Sequence, residues 1–284
     1  VTRMVKLKNG IDVPPLGMGT WNMGDNASLR SDEVTSLRTG LDLGLRVIDT
    51  AEMYGSGRSE NVVGEAIKGR RDEVFLITKV LPSNASRDGV MKSCKTSLKR
   101  LGTDRLDLYL LHWRGNVPLE ETVEAFERLL EEGVIGGWGV SNFDVNSMKE
   151  LDRLSTGTSC VANQVLYSLD HRGIEFDLLG EDRKRKVVTI AYSPLGQGGG
   201  MLHNQTLADI AAEHETSLGR ATPAQIALAW VLRQPSLIAI PKAGSVKHLH
   251  ENSAAREISL TKENLAALDR AFTPPTSSVP LEVI

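Results

Sequence analysis

The sequence predicts an α/β fold, a closed (β/α)8 or TIM barrel of eight parallel strands, on three observations. Short apolar runs alternate with amphipathic stretches along nearly the whole chain, several of those runs finish on a charged or polar residue, and no G-x-G-x-x-G fingerprint accompanies them. Repeated parallel units with short loops give either a doubly wound sheet or a barrel. Eight units counted from Leu16, without that fingerprint, favour the barrel. A length of 284 residues suits one such domain, and no linker divides it, so residues 1–284 are expected to form a single unit.

Taken in order, Val5 to Val13 alternates apolar and polar residues around Asn9-Gly10, a two-residue hairpin signal. Leu16-Gly17-Met18-Gly19-Thr20-Trp21 reads as the first barrel strand and its exit loop. Its glycines suit either close packing of strand on hairpin or the approach of a cofactor to the backbone. Helical patterns at about 31–44, 58–69, 87–101, 119–132 and 144–154 separate strands at 47–49, 74–79, 104–112, 136–141 and 161–164. The segment 171–186 has no defined pattern, although Arg183-Lys184-Arg185-Lys186 suits the last turn of a helix, where cations meet the negative end of the dipole. Val187 to Tyr192 is the next strand. Thr222-Pro223 pairs a capping hydroxyl with a first-turn proline and starts a helix. Leu237 to Pro241 is the last strand, with helices at about 246–255 and 261–271. The tail around Thr273-Pro274-Pro275-Thr276-Ser277-Ser278 is expected to lie over the barrel mouth or hang loose.

Composition bounds the partners. Hydrophobic content of 40% and charged content of 24% are those of an ordinary soluble globular protein, and a net charge of −3 argues against a nucleic-acid partner. No apolar secretory core or membrane-length run is present, so no membrane association is expected. Cys94 and Cys160 make neither a disulfide framework nor a zinc site, which points to a reducing cytoplasm. His248 and His250 lack a third ligand, so no metal is expected, and His171, His203 and His214 read as surface residues.

The chemistry collects at strand ends. Val47-Ile48 leads into Asp49, the next apolar run finishes on Lys79, and the run from Leu106 finishes on His112. Tyr54 lies in the loop that Gly55 and Gly57 turn. Singly, each is an ordinary solvated strand terminus. In a parallel barrel, however, strand ends of one polarity converge on one face, where the four would meet. A phenol has an unperturbed pKa near ~10 and needs a cationic neighbour to serve as an acid near neutrality. Lys79 is expected to supply that charge and to lower the Tyr54 pKa, with Asp49 holding the ammonium in place.

These residues carry a resemblance. Asp49-Thr50-Ala51-Glu52-Met53-Tyr54-Gly55, Lys79 and Leu110-Leu111-His112-Trp113 are similar to the Asp, Tyr, Lys and His tetrad of the aldo-keto reductases. Gly139-Val140-Ser141-Asn142-Phe143, Asn163-Gln164, Ala191-Tyr192-Ser193-Pro194-Leu195 and Ile240-Pro241-Lys242 extend the match in order along the chain. The chain most resembles the bacterial methylglyoxal-reductase-like members. The resemblance implies a hairpin plugging the barrel floor and NADPH-dependent reduction of a small aldehyde or ketone, α-oxoaldehydes among them, with catalytic Asp49, Tyr54, Lys79 and His112.

It also implies nicotinamide carboxamide contacts from Ser141, Asn142 and Gln164, and stacking on Tyr192. Further cofactor contacts come from Gly19, Thr20 and Trp21, from Ser193, Pro194, Leu195 and Gly196, and from Lys242, Ala243, Gly244, Ser245, His248, Glu251 and Asn252. The stretch Gly196-Gln197-Gly198-Gly199-Gly200 either folds over the pyrophosphate or is a mere connection. Ala243 and His248 replace the family's usual serine and arginine, leaving less charge for the 2′-phosphate, so NADH is a possible second cofactor. Trp21, Met53 and Trp113 form a substrate wall or pack the core, and the short C-terminal loop suggests an open pocket. A monomer is expected. A Schiff-base aldolase using Lys79 and a non-catalytic NADP(H)-binding regulatory subunit are the competing classes.

Overall fold

Side chains two residues apart on a strand share a face, so each short apolar run commits one set of residues to the barrel interior and the other to the helices. In the computed structural model, which describes residues 3–197, 199–242 and 244–284, the barrel strands are all parallel. A small hairpin, β1 (Val5–Lys6) and β2 (Asp12–Val13), precedes them. The barrel is built from β3 (Gly17–Gly19), β4 (Val47–Asp49), β5 (Phe75–Val80), β6 (Leu108–Leu111), β7 (Trp138–Ser141), β8 (Ala162–Leu166) and β9 (Val188–Tyr192). A second hairpin, β10 (Glu215–Thr216) and β11 (Gly219–Arg220), comes before the last barrel strand, β12 (Leu237–Ile240). Parallel bridges Leu16 to Ala239 and Gly19 to Lys242 close the ring between β3 and β12.

The helices are α1 (Arg30–Asp42), α2 (Arg58–Ile67), α3 (Arg87–Leu101), α4 (Leu119–Glu131), α5 (Val145–Asp152), α6 (Leu178–Arg185), α7 (Gln205–Glu213), α8 (Pro223–Leu232), α9 (Val246–Ala254) and α10 (Lys262–Ala271). The barrel interior holds Val47, Ile77, Leu110, Val188, Ile190 and Ile238, and Val5, Leu7 and Val13 of the hairpin pack among them as its floor. The alternate set, including Ile48, Leu76, Tyr109, Leu111, Val140 and Ala191, packs under the helices.

Some boundaries differ from the sequence reading. The strand expected over 104–112 is only Leu108–Leu111, because the Asp107 carboxylate accepts from Leu76 N and pairs with Arg71 at 2.8 Å. The strand expected over 136–141 starts at Trp138, after Gly136-Gly137, and the one expected over 161–164 runs on to Leu166. The undefined segment 171–186 contains a 3-10 turn and α6. Asp177 caps the start of that helix, and Arg183, Lys184 and Arg185 fill its last turn as expected.

Between Tyr192 and Thr222 the sequence reading placed no helix or strand, yet α7 and the β10–β11 hairpin lie there. Thr222 and Gln225 form a capping box at the start of α8. The tail is tied down rather than loose. Ser278 Oγ donates to Asp177 at 2.8 Å, Glu282 pairs with His171 at 3.2 Å, and the Ile284 backbone reaches the Tyr192 hydroxyl. His171 and His214 are therefore not plain surface residues: His214 Nε2 lies 2.9 Å from Asn264 Oδ1, while His203 is exposed.

Candidate active site

Strand parity brings the polar groups together. Asp49 lies two residues beyond inward-facing Val47, Lys79 beyond Ile77, His112 beyond Leu110, Gln164 beyond Ala162 and Tyr192 beyond Ile190. All five thus point inward at the C-terminal end of the barrel. Tyr54 reaches the same place from the turn after β4, which Gly55, Ser56 and Gly57 make with positive φ of 56°, 53° and 90°.

Lys79 is fully buried, and its ammonium donates to Asp49 Oδ2 at 2.7 Å, Thr50 O at 2.8 Å and Tyr54 Oη at 3.2 Å. Those are all the protons an ammonium has, so the phenolic hydrogen of Tyr54 is left for another acceptor. Gln164 Nε2 donates to Asp49 Oδ1 at 2.8 Å, which fixes the carboxylate from its other side. His112 lies edge-on to Tyr54, with ring centroids 5.7 Å apart, and its Nδ1 is buried without a hydrogen-bond partner among the described residues.

Burial is the largest influence on Lys79 and works against its charge, but Asp49 and Tyr54 together outweigh it and raise the pKa. Burial dominates Tyr54 as well. It lifts the phenol above its ordinary value, with Asp49 adding to the rise and Lys79 opposing it. The expected lowering of the Tyr54 pKa is therefore corrected: the cation acts as foreseen, but loss of water is the stronger effect. Burial, helped by the Lys79 charge, brings His112 down to about 3, so its imidazole is neutral at pH 7.

Around this centre, Ser141 Oγ and Asn142 N both donate to Gln164 O at 2.8 Å, and Asn142, at φ 58°, accepts from Tyr192 Oη at 2.9 Å. Asn142 Nδ2 donates to His112 O at 3.2 Å. Ser141, Asn142, Gln164 and Tyr192 are thus one bonded patch beside the tetrad. A side-chain hydroxyl, two amides and a partly open ring there fit the amide head and flat face of a nicotinamide.

Thr20 is different. Its N–H and hydroxyl both donate to Asp49 O, and the single Ser59 hydroxyl proton is shared between its two oxygens, so both Thr20 donors are already used within the described residues. Gly19 N donates to Pro241 O at 2.8 Å in the seam that closes the ring, and a Cβ there would come within 2.8 Å of Ile240 O, so the glycine serves close packing at that seam. Trp21, Met53 and Trp113 are 44%, 43% and 39% exposed, which removes the core-packing reading for all three.

Beyond Tyr192, Ser193 and Gly196 both take positive φ, Pro194 is buried, and Leu195 packs on the outer core. Lys242, Gly244 and His248 are exposed at the N-terminal end of α9, where Ser245 caps the helix by accepting from His248 N at 3.2 Å. Glu251 is half-buried and Asn252 is buried on that helix. Ala243 and Gly198 lie outside the described residues. The sequence reading missed Thr50 and Ser59, whose hydroxyls lie 3.1 Å apart beneath the rim. Nothing in an apolar run marks an oxygen for that duty.

Comparison with known proteins adds identity to geometry. Residues 15–272 match the aldo/keto reductase family. Methylglyoxal reductase YeaE of Escherichia coli (strain K12) is 46% identical over 99% of both chains, and a glyoxal reductase of Bacillus subtilis (strain 168) is 32% identical over 93% of this chain and 91% of its own. An aldo-keto reductase from Klebsiella pneumoniae in complex with NADPH superposes with a TM-score of 0.96 at 47% identity, covering all of both chains. Another structure of a Klebsiella pneumoniae aldo/keto reductase, with NADP and acetate, gives 0.95 at 46%, again over both whole chains.

Proposed function

Because this chain belongs to the aldo/keto reductase family, we propose that it reduces small aldehydes and ketones, α-oxoaldehydes such as methylglyoxal among them, to alcohols with NADPH. The observation that carries the reading is the fully buried Lys79 ammonium lying between Asp49 and the Tyr54 oxygen. When bound, the dinucleotide supplies the hydride for the carbonyl carbon, and the chain supplies the rest. Ser141, Asn142 and Gln164 would hold the carboxamide end and Tyr192 would back the ring. Lys242, Ser245 and His248 would serve the 2′-phosphate, and Glu251 and Asn252 the adenine.

As negative charge builds on the carbonyl oxygen, Tyr54 gives up its proton. Its raised pKa keeps that proton in place at neutral pH, and Lys79 at 3.2 Å stabilises the phenolate left behind. Neutral His112 orients the carbonyl oxygen. With Nδ1 buried, Nε2 is the nitrogen that faces the substrate. Trp21, Met53 and Trp113 supply apolar surface around a small substrate. An ammonium held charged by Asp49 is a poor nucleophile, which weighs against a Schiff-base lyase. A complete tetrad weighs against a non-catalytic subunit.

The test is NADPH oxidation across aldehydes, ketones and dicarbonyls, with Tyr54→Phe as control. The variant is expected to lose about two orders of magnitude or more in kcat with NADPH affinity nearly unchanged. A wild-type protein that oxidises NADPH with none of these carbonyls would sink the reading. Among the described residues no helix is long and apolar enough to cross a membrane, and Cys94 and Cys160 are buried and unpaired. The free thiols support a reducing cytoplasm as the location. A monomer in solution is checked by light scattering.

A further inference from the structure

The contact on which Tyr54 depends spans two elements, the turn before α2 and the strand β5, and something must hold their separation. On the outer face of β5, one residue before Lys79, Thr78 Oγ1 donates to Glu60 Oε1 at 2.7 Å. Glu60 lies in the first turn of α2, directly after the turn that carries Tyr54, and its side chain is fully buried. Its other oxygen accepts from Arg100 Nη1 at 3.1 Å, from the last turn of α3.

The same guanidinium lies under the Tyr54 turn: a Cβ on Gly57, at φ 90°, would come within 2.3 Å of Arg100 Cζ. A buried carboxylate thus links the strand bearing Lys79, the helix that follows Tyr54 and a cation flooring the turn between them. We propose that Glu60, with Arg100, is a positioning residue that sets the Tyr54–Lys79 separation. It touches neither substrate nor cofactor and acts through Thr78 and the Gly57 turn. Cys94 and Tyr109 also feel Glu60, each raised chiefly by burial and in part by that charge. They stay neutral near pH 7 and leave Arg100 as its cation.

Positioning matters because a displacement of about 1 Å costs a reaction on the order of a hundredfold in rate. This inference rests on the proposed reductase activity, so wild type and Tyr54→Phe are assayed alongside. Glu60→Gln keeps an acceptor for Thr78 but loses the ion pair. Thr78→Val, of nearly equal shape, removes the hydroxyl and serves if the first variant does not fold.

Each is expected to lower kcat about tenfold or more, with NADPH affinity by fluorescence titration within about twofold of wild type. The rising limb of alcohol oxidation against pH is expected to move to higher pH, since a phenol further from Lys79 ionises less readily. Folded variants with wild-type kcat and an unmoved limb, whatever their melting temperature, would show Glu60 to be only structural. Failure of wild type itself to reduce any carbonyl would instead overturn the activity.

Discussion

At the scale of the residue, the site depends on a charge that burial opposes. Lys79 keeps its proton because Asp49, Thr50 and Tyr54 accept all three of its hydrogen bonds. Lys79→Met removes those donors and leaves the Asp49 carboxylate, 1% exposed, with Gln164 as its remaining side-chain donor among the described residues. Breaking a buried pair from one side costs about 3–5 kcal/mol, and urea denaturation of this variant should show a loss of that order together with near-complete loss of turnover. A stability equal to wild type would mean that water or a rearranged partner compensates Asp49. The tetrad was legible in the sequence because charged residues ending apolar runs are conspicuous and strand parity fixes where they point. The direction of the Tyr54 shift was not legible, since it depends on how much water the fold removes, and that is a property of the closed barrel.

At the scale of the element, legibility follows burial pattern. The strands β4, β5 and β9 announce themselves because both faces are covered and each is a short run built mostly from apolar residues. α6 does not, because it buries only Leu178, Leu179 and Asp182, and a helix so polar has no stripe to read. The β10–β11 hairpin has even less signal, being largely exposed along both strands. Glu60 and Asp182 went unnoticed for a related reason: a lone acidic residue on a helix looks the same in sequence whether it faces solvent or a strand.

α9 offers an element-scale prediction. Its N-terminal end presents Lys242 and His248 to solvent, and an imidazole lacks the bidentate donor fork and permanent charge of a guanidinium. His248→Arg adds a permanent charge and a donor fork. At the lower end of the range for charge-assisted hydrogen bonds, NADPH should bind about tenfold tighter with NADH unchanged. Fluorescence titration with both dinucleotides checks this, and equal gains for both would remove the phosphate from the explanation.

At the scale of the whole molecule, two buried groups make the stability of the fold answer to pH in opposite senses. His112 is lowered from 6.5 to about 3, so between those values the unfolded chain binds a proton that the folded chain does not, and stability is lost as the solution is acidified. Asp182, on α6, is raised from 3.8 to about 7, chiefly by burial and against a 3.3 Å hydrogen bond from Asn163. There the folded state binds the extra proton, and stability is lost as pH rises through that window. Each shift amounts to at most about 4–5 kcal/mol at about 1.4 kcal/mol per pH unit, so between pH 4 and 6.5 the two largely offset each other.

Single substitutions should separate them. Asp182→Asn is expected to be more stable relative to wild type at pH 7 than at pH 5, because it removes a carboxyl that must ionise inside the protein. His112→Asn should show the reverse, closing on wild type as acid is added. Urea midpoints at pH 5, 6 and 7 measure both, and parallel curves for wild type and either variant would show that the group titrates in the fold as it does in the unfolded chain. Asn163 Nδ2 also donates to Phe143 O at 2.9 Å, next to Asn142. Ionising Asp182 therefore adds charge behind the turn that holds the carboxamide patch, and the same Asp182→Asn protein should keep its NADPH affinity flatter than wild type between pH 6 and 8.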